Sequence, residues 1–545
     1  MDRAYFGQST TGGHSSHALS QGGPPVEENY VHLGPGVQNH FWSGALKRTW
    51  IYNFQRLGDD IRLEEVLKAR DLETAYLCSY EFDAPWLFSK LELSRTKLFL
   101  VMHADNEQKH FYRQECKSLG LDVTPIFPPA RSGNMTSMHS KLMILKYIGS
   151  VRIVVPTGNL QPADWGETGH MENMVFIIDL PRNEAMAPPT PVEHLPIFGQ
   201  ELLRFVDALG LDSSAQNMLR RHNWHNTRPF GFVHSIPGTH NGTNMYKTGM
   251  PLLNNLVQQL GLGAYDNQRI LSSWVDYMTS SLGRLKEDYV ANFYRALQGE
   301  FDASNQPRTG RKMTKPEREY RKKLHERFHI VYPCNKTVQE SIGGSGGAGT
   351  ICLAHDYWID DDFPKKLMHD LKSVRRGVLN HAKMILVRTH VSTGLSVHEF
   401  TMKCWAFVGS HNFSESAWGK TQRMRGSDDE NRHKLIVRNY ECGVIVPVGP
   451  DTIASYTWPA LGEDEFVILE DEVPGYDIFL GSIPIPAAMP PERYNRYNQP
   501  GGRVTSRKVP FTFNPEQNPT TDVVPVDNET EAESSEEDGE EDDEL

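Results

Sequence analysis

Short apolar runs recur along the chain, and they lack the alternating polar positions of a half-exposed strand. The pattern predicts strands buried on both faces at KLMIL (141–145), VRIVV (151–155), MVFIID (174–179), KMILV (383–387) and CWAFVG (404–409). Two longer stretches, YVANFYRALQG (289–299) and FPKKLMHDLKSVRR (363–376), space apolar residues as amphipathic helices do. We therefore predict an α/β protein in which helices cover mixed sheets.

The order of signals occurs twice, which indicates an internal repeat. MHSKLMILKY, VRIVVPTGNLQPADWG and MENMVFIID follow one another in the first half, and NHAKMILVR, KCWAFVGSHNFSESAWG and YECGVIVPV do so in the second. The overlay matches His139 with His381, Lys141 with Lys383, Asn159 with Asn412, Trp165-Gly166 with Trp418-Gly419, and Glu172 with Glu441. We expect one sheet per repeat, with domains at 45–222 and 223–510.

The ends of the chain differ from this body in composition. Residues 527–545 carry twelve acidic and no basic residues, so the formal net charge of −13 falls to −1 without them. Such a block of like charge repels itself, and residues 1–44 are rich in small polar residues and glycine. We predict a disordered N-terminal extension over 1–44 and a disordered acidic tail over 511–545.

Composition narrows the class of protein. The 545 residues are 38% hydrophobic, which is enough for two or more cores. The chain contains no apolar run of membrane-spanning length and no apolar signal segment at its start, so we expect a soluble, intracellular protein. The six cysteines form no CxxC pair, which predicts neither a zinc ribbon nor a disulfide framework.

The repeated His-x-Lys pattern has a chemical interpretation. Alternate residues of a strand face the same side, so each histidine projects with its lysine, whereas Ser140 and Ala382 point away. If the two halves pack face to face, two imidazoles, two ammonium groups and two amides surround one spot. Ammonium and amide donors suit the oxygens of a phosphodiester, and two imidazoles can divide nucleophilic attack and proton transfer without a metal or other cofactor. One such motif arises easily by chance, but two with matching flanks favour function.

At these motifs the sequence resembles the phospholipase D superfamily, whose signature continues from HxK to an aspartate and then to a glycine-rich turn ending in Asn. Lys146 and Arg388 stand where the aspartates belong. Their absence makes the chain similar to the tyrosyl-DNA phosphodiesterase branch. The likeness covers roughly 45–510 and extends to SYEFDAPWLFS (79–89), TGNLQPADW (157–165), MTSSLG (278–283), SGGAGT (345–350) and SHNFSESAWG (410–419).

The resemblance implies two pseudo-twofold-related phospholipase-D-like domains with the active site at their interface. His139 is then the nucleophile and His381 the general acid and base, while Lys141, Lys383, Asn159 and Asn412 bind phosphoryl oxygens. Glu441 matches the glutamate that holds the nucleophile in this family. The family's partner for the second histidine is a glutamine that this chain lacks, so Glu172 and His170 are the candidates.

The same resemblance implies a DNA 3′ end carrying a tyrosyl peptide as substrate, single-stranded or at a blunt or frayed duplex end, with a 3′-phosphate as product. Candidate substrate contacts are Tyr80, Ser280, Ser281, Ser345, Thr350 and Ser414. We expect a nuclear monomer that needs no metal and binds no membrane.

Alternatives stay open from the residues alone. A phospholipase-D-like nuclease or lipid phosphodiesterase and an inactive nucleic-acid-binding module both fit the motifs less well. Residues 308–327, with nine basic and three acidic side chains, form an exposed insertion, a nucleic-acid contact or a nuclear-import patch.

Overall fold

Two large mixed sheets with the same strand order organise the chain. A computed structural model describes residues 40–118, 120, 122–129, 137–184, 186–264, 270–303, 313–392, 400–424, 433–455, 475–497 and 504–512. The strands of the first half are β1 Ala45–Thr49, β2 Asp60–Ile61, β3 Thr74–Cys78, β4 Lys97–Val101, β5 Val123–Ile126, β6 Ser137–Met138, β7 Leu142–Lys146, β8 Ser150–Pro156, β9 Met171–Glu172 and β10 Met174–Pro181.

The second half supplies the remaining strands. They are β11 Gly231–Ser235, β12 Gly238–Asn241, β13 Ile270–Met278, β14 Ser281–Leu282, β15 Phe328–Tyr332, β16 Cys352–Leu353, β17 Met368–Asp370, β18 Leu379–Asn380, β19 Lys383–Ser392, β20 Phe400–Gly409, β21 Lys420–Arg423, β22 His433–Val437, β23 Asn439–Pro447, β24 Glu492–Arg493, β25 Asn495–Tyr497 and β26 Val504–Arg507.

Twelve α-helices accompany these strands within the described ranges. They are α1 Leu63–Leu67, α2 Ala84–Ser89, α3 Asn106–Ser118, α4 Ile197–Ala208, α5 Ser213–Arg220, α6 Gly249–Gln259, α7 Glu287–Leu297, α8 Lys315–Arg327, α9 Asn335–Gln339, α10 His355–Ile359, α11 Glu415–Trp418 and α12 Pro450–Ser455. None of the described helices has the length and apolar character needed to cross a bilayer.

The strand order makes the pseudo-twofold relation explicit. The first sheet runs β2-β1-β10-β8-β7-β3-β4-β5, and the second runs β11-β23-β20-β19-β13-β15-β17-β24. Seven consecutive strands correspond, from β1 and β11 at one end to β5 and β17 at the other, with matching pairing directions. The predicted α/β class and the one-sheet-per-repeat organisation are confirmed.

Alternation along the central strands places a core on each face of both sheets. In β7, Leu142 and Ile144 join a buried cluster that also takes Met384 and Leu386 from β19, so this core is shared between the halves. The intervening side chains enter outer cores. Helices α1, α2 and α3 cover the first sheet, and α6, α7 and α8 cover the second. The predicted strands therefore lie where both faces are buried.

The predicted helix over residues 363–376 is wrong. The segment forms a short 3-10 turn at Lys365–Leu367 and then strand β17, which pairs in parallel with β15. Residues 367–371 are all buried. A surface helix exposes part of each turn to solvent, so pairing within a sheet covered on both sides overrides the helical spacing.

Packed structure extends slightly beyond the predicted domain limits. Phe41 is buried and its N–H donates to Asp179 Oδ2 at 2.8 Å, and Phe511 N donates to Pro333 O at 3.2 Å. The rest of both predicted disordered ends, 1–39 and 513–545, lies outside the described residues, so their disorder stays a prediction.

The Trp-Gly steps of the two repeats share a backbone requirement. Gly166 and Gly419 have φ of +78° and +91°, and a Cβ on Gly166 would lie 1.7 Å from Trp50 O. Gly210 has a similar φ of +85°, but nothing lies within 4 Å of its Cβ position. A side chain at Gly166 or Gly210 would therefore meet the same conformational cost, but only the one at Gly166 would also collide with a neighbouring atom.

We therefore expect Gly210→Ala to cost about 1–2 kcal/mol of unfolding free energy, the penalty of a left-handed conformation. Gly166→Ala should cost clearly more, because the new Cβ collides with Trp50 O and the backbone at residue 50 or 166 must move. Urea unfolding of the two variants measures both. Equal destabilisation would contradict the close approach of residues 50 and 166.

Candidate active site

His139 lies between β6 and β7, and the second half holds it in place. Strand β6 pairs with β23, and His139 N donates to Tyr440 O at 3.1 Å. Its Nδ1 lies 2.9 Å from Glu441 Oε2. Glu441 is fully buried, accepts a hydrogen bond from the Ser410 hydroxyl, and accepts another from Asn439 Nδ2 at 3.1 Å. With Nδ1–H donating to a carboxylate, Nε2 is the nitrogen that can react.

His381 is held in the same way by the first half. Strand β18 pairs with β9, and His381 Nδ1 lies 2.7 Å from Asp164 Oδ1. Asp164 also accepts from Asn173 Nδ2 at 2.9 Å and from the main-chain N–H of Asn159 at 2.7 Å. Each histidine is therefore fixed by a carboxylate of the opposite half, and the site exists only where the halves meet.

The two lysines occupy equivalent places. Lys141 Nζ and Lys383 Nζ donate to the carbonyl oxygens of His139 and His381, each at 2.7 Å. Burial lowers the pKa of Lys141 to about 8, and burial together with the charge of Lys141 lowers the pKa of Lys383 well below its usual value. An anion between these ammonium groups would raise both pKa values again, so binding of an anion and protonation of the two lysines favour each other.

Burial also determines the protonation state of the two histidines. It lowers the pKa of His139 against the opposing charge of Glu441, and it lowers the pKa of His381 to about 4 against the charge of Asp164. Burial acts to raise the pKa of each carboxyl, but the paired histidine outweighs it and holds Asp164 and Glu441 at about 2. Both imidazoles are therefore neutral in the empty site at neutral pH, and both carboxylates are charged.

A sequence model of the tyrosyl-DNA phosphodiesterase family matches residues 45–517. The chain belongs to this family. Tyrosyl-DNA phosphodiesterase 1 of Arabidopsis thaliana is 24% identical over 404 residues, which are 72% of this chain and 59% of that protein. The chain thus spans about 59% of the length of this curated relative.

Solved structures of yeast tyrosyl-DNA phosphodiesterase share the fold. The crystal structure of the yeast protein matches with a TM-score of 0.51 and 15% identity, over 74% of this chain and 90% of that chain. A point mutant of the yeast protein gives a TM-score of 0.51 and 16% identity over the same shares. The phospholipase-D-like fold expected from the motifs is confirmed.

Glu172 and His170, the two residues predicted to hold His381 in this member of the tyrosyl-DNA phosphodiesterase family, are not its partners. Glu172 points away from the site, where Arg375 Nη1 donates to its Oε1 at 2.6 Å and Arg48 lies 3.8 Å away. His170 packs against the glycine-rich turn around Gly347, where a Cβ on that glycine would lie 3.0 Å from the imidazole ring. Neither side chain reaches His381.

The reason is a one-residue shift in the repeat. The carbonyl that accepts from the main-chain N–H of the histidine belongs to Tyr440 in one case and to Glu172 in the other. Because Tyr440 and Glu172 are equivalent, the equivalent of Glu441 is Asn173. A shift of one residue turns a strand side chain to the opposite face, which explains the orientation of Glu172.

Asp164 was missed although the sequence contains a signal for it. It is the only acidic residue in TGNLQPADWG and stands five positions after Asn159, where the second repeat has Ala417 after Asn412. Asn173, a neutral residue at the glutamate position, holds this aspartate instead of a histidine. The first half therefore supplies its carboxylate from the turn rather than from the strand.

The predicted substrate contacts divide into two groups. Tyr80 lies beside the centre, with its ring centroid 5.5 Å from that of His139 and 5.8 Å from Lys141 Nζ, and Ser280 Oγ donates to Asn412 Oδ1 at 3.3 Å. The others lie on surrounding turns or use their polar groups in the fold. Ser281 pairs with Cys352 in β14 and β16, Ser345 is exposed on a 3-10 turn, Thr350 buries its hydroxyl oxygen, and Ser414 caps α11.

The positions of the missing aspartates have structural partners. Lys146 pairs with Glu73, and Arg388 Nη2 lies 3.1 Å from the buried Asp276 Oδ2. Residues 315–327 of the basic segment form α8, whereas 308–312 lie outside the described residues. Among the side chains described, no group of three or more His, Cys, Asp or Glu is arranged to hold a metal ion.

These pairings predict different outcomes for two similar substitutions. Asp164→Asn removes the charge that opposes burial at His381, so the pKa of His381 should fall further below its ordinary value. Glu172→Gln should leave that pKa unchanged, because its side chain faces Arg375. Histidine-selective NMR titration of the two variants and the parent protein measures the shift. A larger change with Glu172→Gln would contradict the pairing.

Proposed function

We propose that this protein is a DNA phosphodiesterase that hydrolyses 3′-phosphotyrosyl linkages, such as those of topoisomerase I with DNA, and leaves a 3′-phosphate. The carrying observation is the pair of buried histidines, each on a carboxylate of the opposite half, with two buried lysines beside them. Membership of the tyrosyl-DNA phosphodiesterase family supports the substrate class.

In the first step, Nε2 of His139 attacks phosphorus, because its Nδ1–H is held by Glu441 and the ring is neutral. The bond between phosphorus and the tyrosyl oxygen breaks, and its electron pair leaves on that oxygen. A protonated His381 donates to the leaving oxygen from Nε2. The anionic phosphodiester raises the pKa of His381, which supplies the proton that the empty site lacks.

In the second step, the neutral His381 takes a proton from water as the water oxygen attacks phosphorus. The phosphorus–nitrogen bond breaks, and its electron pair returns to His139 Nε2. Lys141 and Lys383 stabilise the negative charge that grows on the phosphoryl oxygens in both transition states. Amide donors from Asn159 and Asn412 complete the oxygen site.

The surroundings support DNA as the substrate. Ser280 joins the centre on the second half, and hydroxyl groups there suit contacts to backbone phosphates. The exposed cations of α8, Lys315, Arg318, Lys322 and Lys323, favour a nucleic-acid contact for the basic segment. We place the protein in the nucleus as a monomer.

Three substrates offered side by side test the proposal. The expected result is release of tyrosine from a 3′-phosphotyrosyl oligonucleotide at a rate far above the cleavage of a plain oligonucleotide or of phosphatidylcholine. Preference for phosphatidylcholine would favour a lipid phosphodiesterase, and preference for the plain oligonucleotide would favour a nuclease. No turnover of any of them would indicate an inactive binding module.

The two histidines should fail differently when substituted. The phenol that leaves first has a pKa near 10 and departs with little help, whereas the second step extracts a proton from water, with a pKa of about 15.7. His381→Asn should therefore accumulate a covalent enzyme–DNA phosphoamide, seen as an acid-labile, alkali-stable band on a denaturing gel. His139→Ala should be inactive without that band. An adduct with His139→Ala alone would reverse the two roles.

A further inference from the structure

A third carboxyl group lies in the active centre and is not used by the mechanism above. Glu81 follows β3, and its Oε2 accepts from Asn159 Nδ2 at 3.4 Å and from Gln161 Nε2 at 2.8 Å. Its main chain is fixed by Ser79 Oγ and Leu160 N, which both donate to Glu81 O. The carboxylate thus binds the donor end of an amide that is proposed to bind phosphate.

This contact leaves the other end of the amide unsatisfied. Asn159 Oδ1 is buried and has no hydrogen-bond partner among the described residues. A buried carbonyl oxygen without a hydrogen-bond partner is destabilising, because it has lost its hydrogen bonds to water. It is also an acceptor, which repels a phosphoryl oxygen where a donor is needed.

The second half shows the opposite arrangement at the equivalent asparagine. Asn412 Oδ1 accepts from Thr279 Oγ1 and Ser280 Oγ, both at 3.3 Å, so the amide is held by its oxygen and the nitrogen is the end that can donate to phosphate. The bridges Phe82–Leu160 and Leu282–Phe413 correspond, which places Ser281 at the position of Glu81. The carboxylate of Glu81 thus has no counterpart in the second half, where the hydroxyl groups of Thr279 and Ser280 hold the amide by its oxygen.

The charges of the centre indicate when this difference matters. Its two ammonium groups face three carboxyl groups, which belong to Glu441, Asp164 and Glu81. With neutral imidazoles the centre is net negative while Glu81 is ionised, and a phosphodiester adds another negative charge. Protonation of Glu81 is the change that removes a charge without breaking a histidine pair.

We propose that Glu81 is a positioning residue that takes up a proton when a phosphodiester binds and thereby turns the Asn159 amide. The new O–H donates to Asn159 Oδ1, and the amide rotates so that Nδ2 donates to a phosphoryl oxygen. Amide oxygen and nitrogen have nearly the same shape, so the rotation needs no rearrangement of packing. The inference rests on the proposed function, because it concerns the phosphate site of that reaction.

The surroundings of Glu81 make this protonation accessible. Burial raises the pKa of Glu81 and the charge of Asp164 raises it further, while Lys141 and the hydrogen bond from Gln161 lower it, and the net direction is upward. A phosphodiester beside the group adds another negative charge and raises the pKa again. Protonation then lies closer to neutral pH in the complex than in the empty site.

Binding of an uncleaved substrate tests the proposal without turnover. His139→Ala serves as the background variant, because it binds the substrate without cleaving it. Fluorescence anisotropy measures its affinity for a 3′-phosphotyrosyl oligonucleotide over about three pH units around neutrality. As the pH rises from the pKa of Glu81 in the empty site to its higher pKa in the complex, one linked proton predicts an additional affinity loss of up to about tenfold per pH unit. Adding Glu81→Gln should remove this component, because a glutamine amide donates to Asn159 Oδ1 at every pH.

Two further variants in the same background sharpen the result. Glu81→Ser copies the second half and should also remove the component, which guards against an effect peculiar to glutamine. Glu167→Gln removes a carboxylate that binds Trp86 and Lys90, and it should keep the profile of the background. Calorimetry in buffers of different ionisation enthalpy should count nearly one more proton taken up by the background than by the Glu81 variants, at a pH between the two pKa values.

Parallel pH profiles and equal proton uptake with and without Glu81→Gln would overturn the inference while the phosphodiester site stands. Failure of every variant to bind the oligonucleotide at any pH would overturn the proposed function and this inference with it.

Discussion

The exchange of carboxylates between the halves is the interaction on which the site depends. His139 is held by Glu441 and His381 by Asp164, so neither imidazole is oriented until the two sheets have packed. The shared apolar core brings the halves together and buries both pairs. Removing the histidine of either pair leaves a buried, charged carboxylate without that hydrogen-bond partner, which costs about 1–3 kcal/mol or more. Docking of the halves and assembly of the site are therefore one event.

The symmetry of the backbone is not matched by the symmetry of the polar groups. Seven strands correspond, yet the glutamate position of one half is Asn173 in the other, and the amides of Asn159 and Asn412 are held by opposite ends. Two equivalent histidines in identical surroundings would have equal pKa values and compete for both roles. Different polar neighbours separate them, which is what a reaction with a nucleophile and a proton carrier requires.

Much of this arrangement could be predicted because the repeat is local in the sequence. The apolar runs at 141–145 and 383–387 become central strands, and the His-Lys spacing follows from strand alternation. Asp164 could not be assigned to His381 in the same way, since the two residues are 217 positions apart. The overlay of the two repeats also matched Glu172 with Glu441, one residue away from the true equivalent, Asn173. The helix expected at 363–376 failed because pairing with β15 is equally invisible in a local pattern. Long-range pairing, rather than propensity, decided both cases.

The central claim is that the two carboxylates support different steps, and single-turnover kinetics of Asp164→Asn and Glu441→Gln with a 3′-phosphotyrosyl oligonucleotide tests it most directly. Rapid quenching resolves formation and decay of the covalent intermediate. We expect Glu441→Gln to slow formation most, because it weakens the nucleophile, and Asp164→Asn to slow decay most, because it weakens the base that activates water. Equal slowing of one and the same step by both variants would contradict the division of roles.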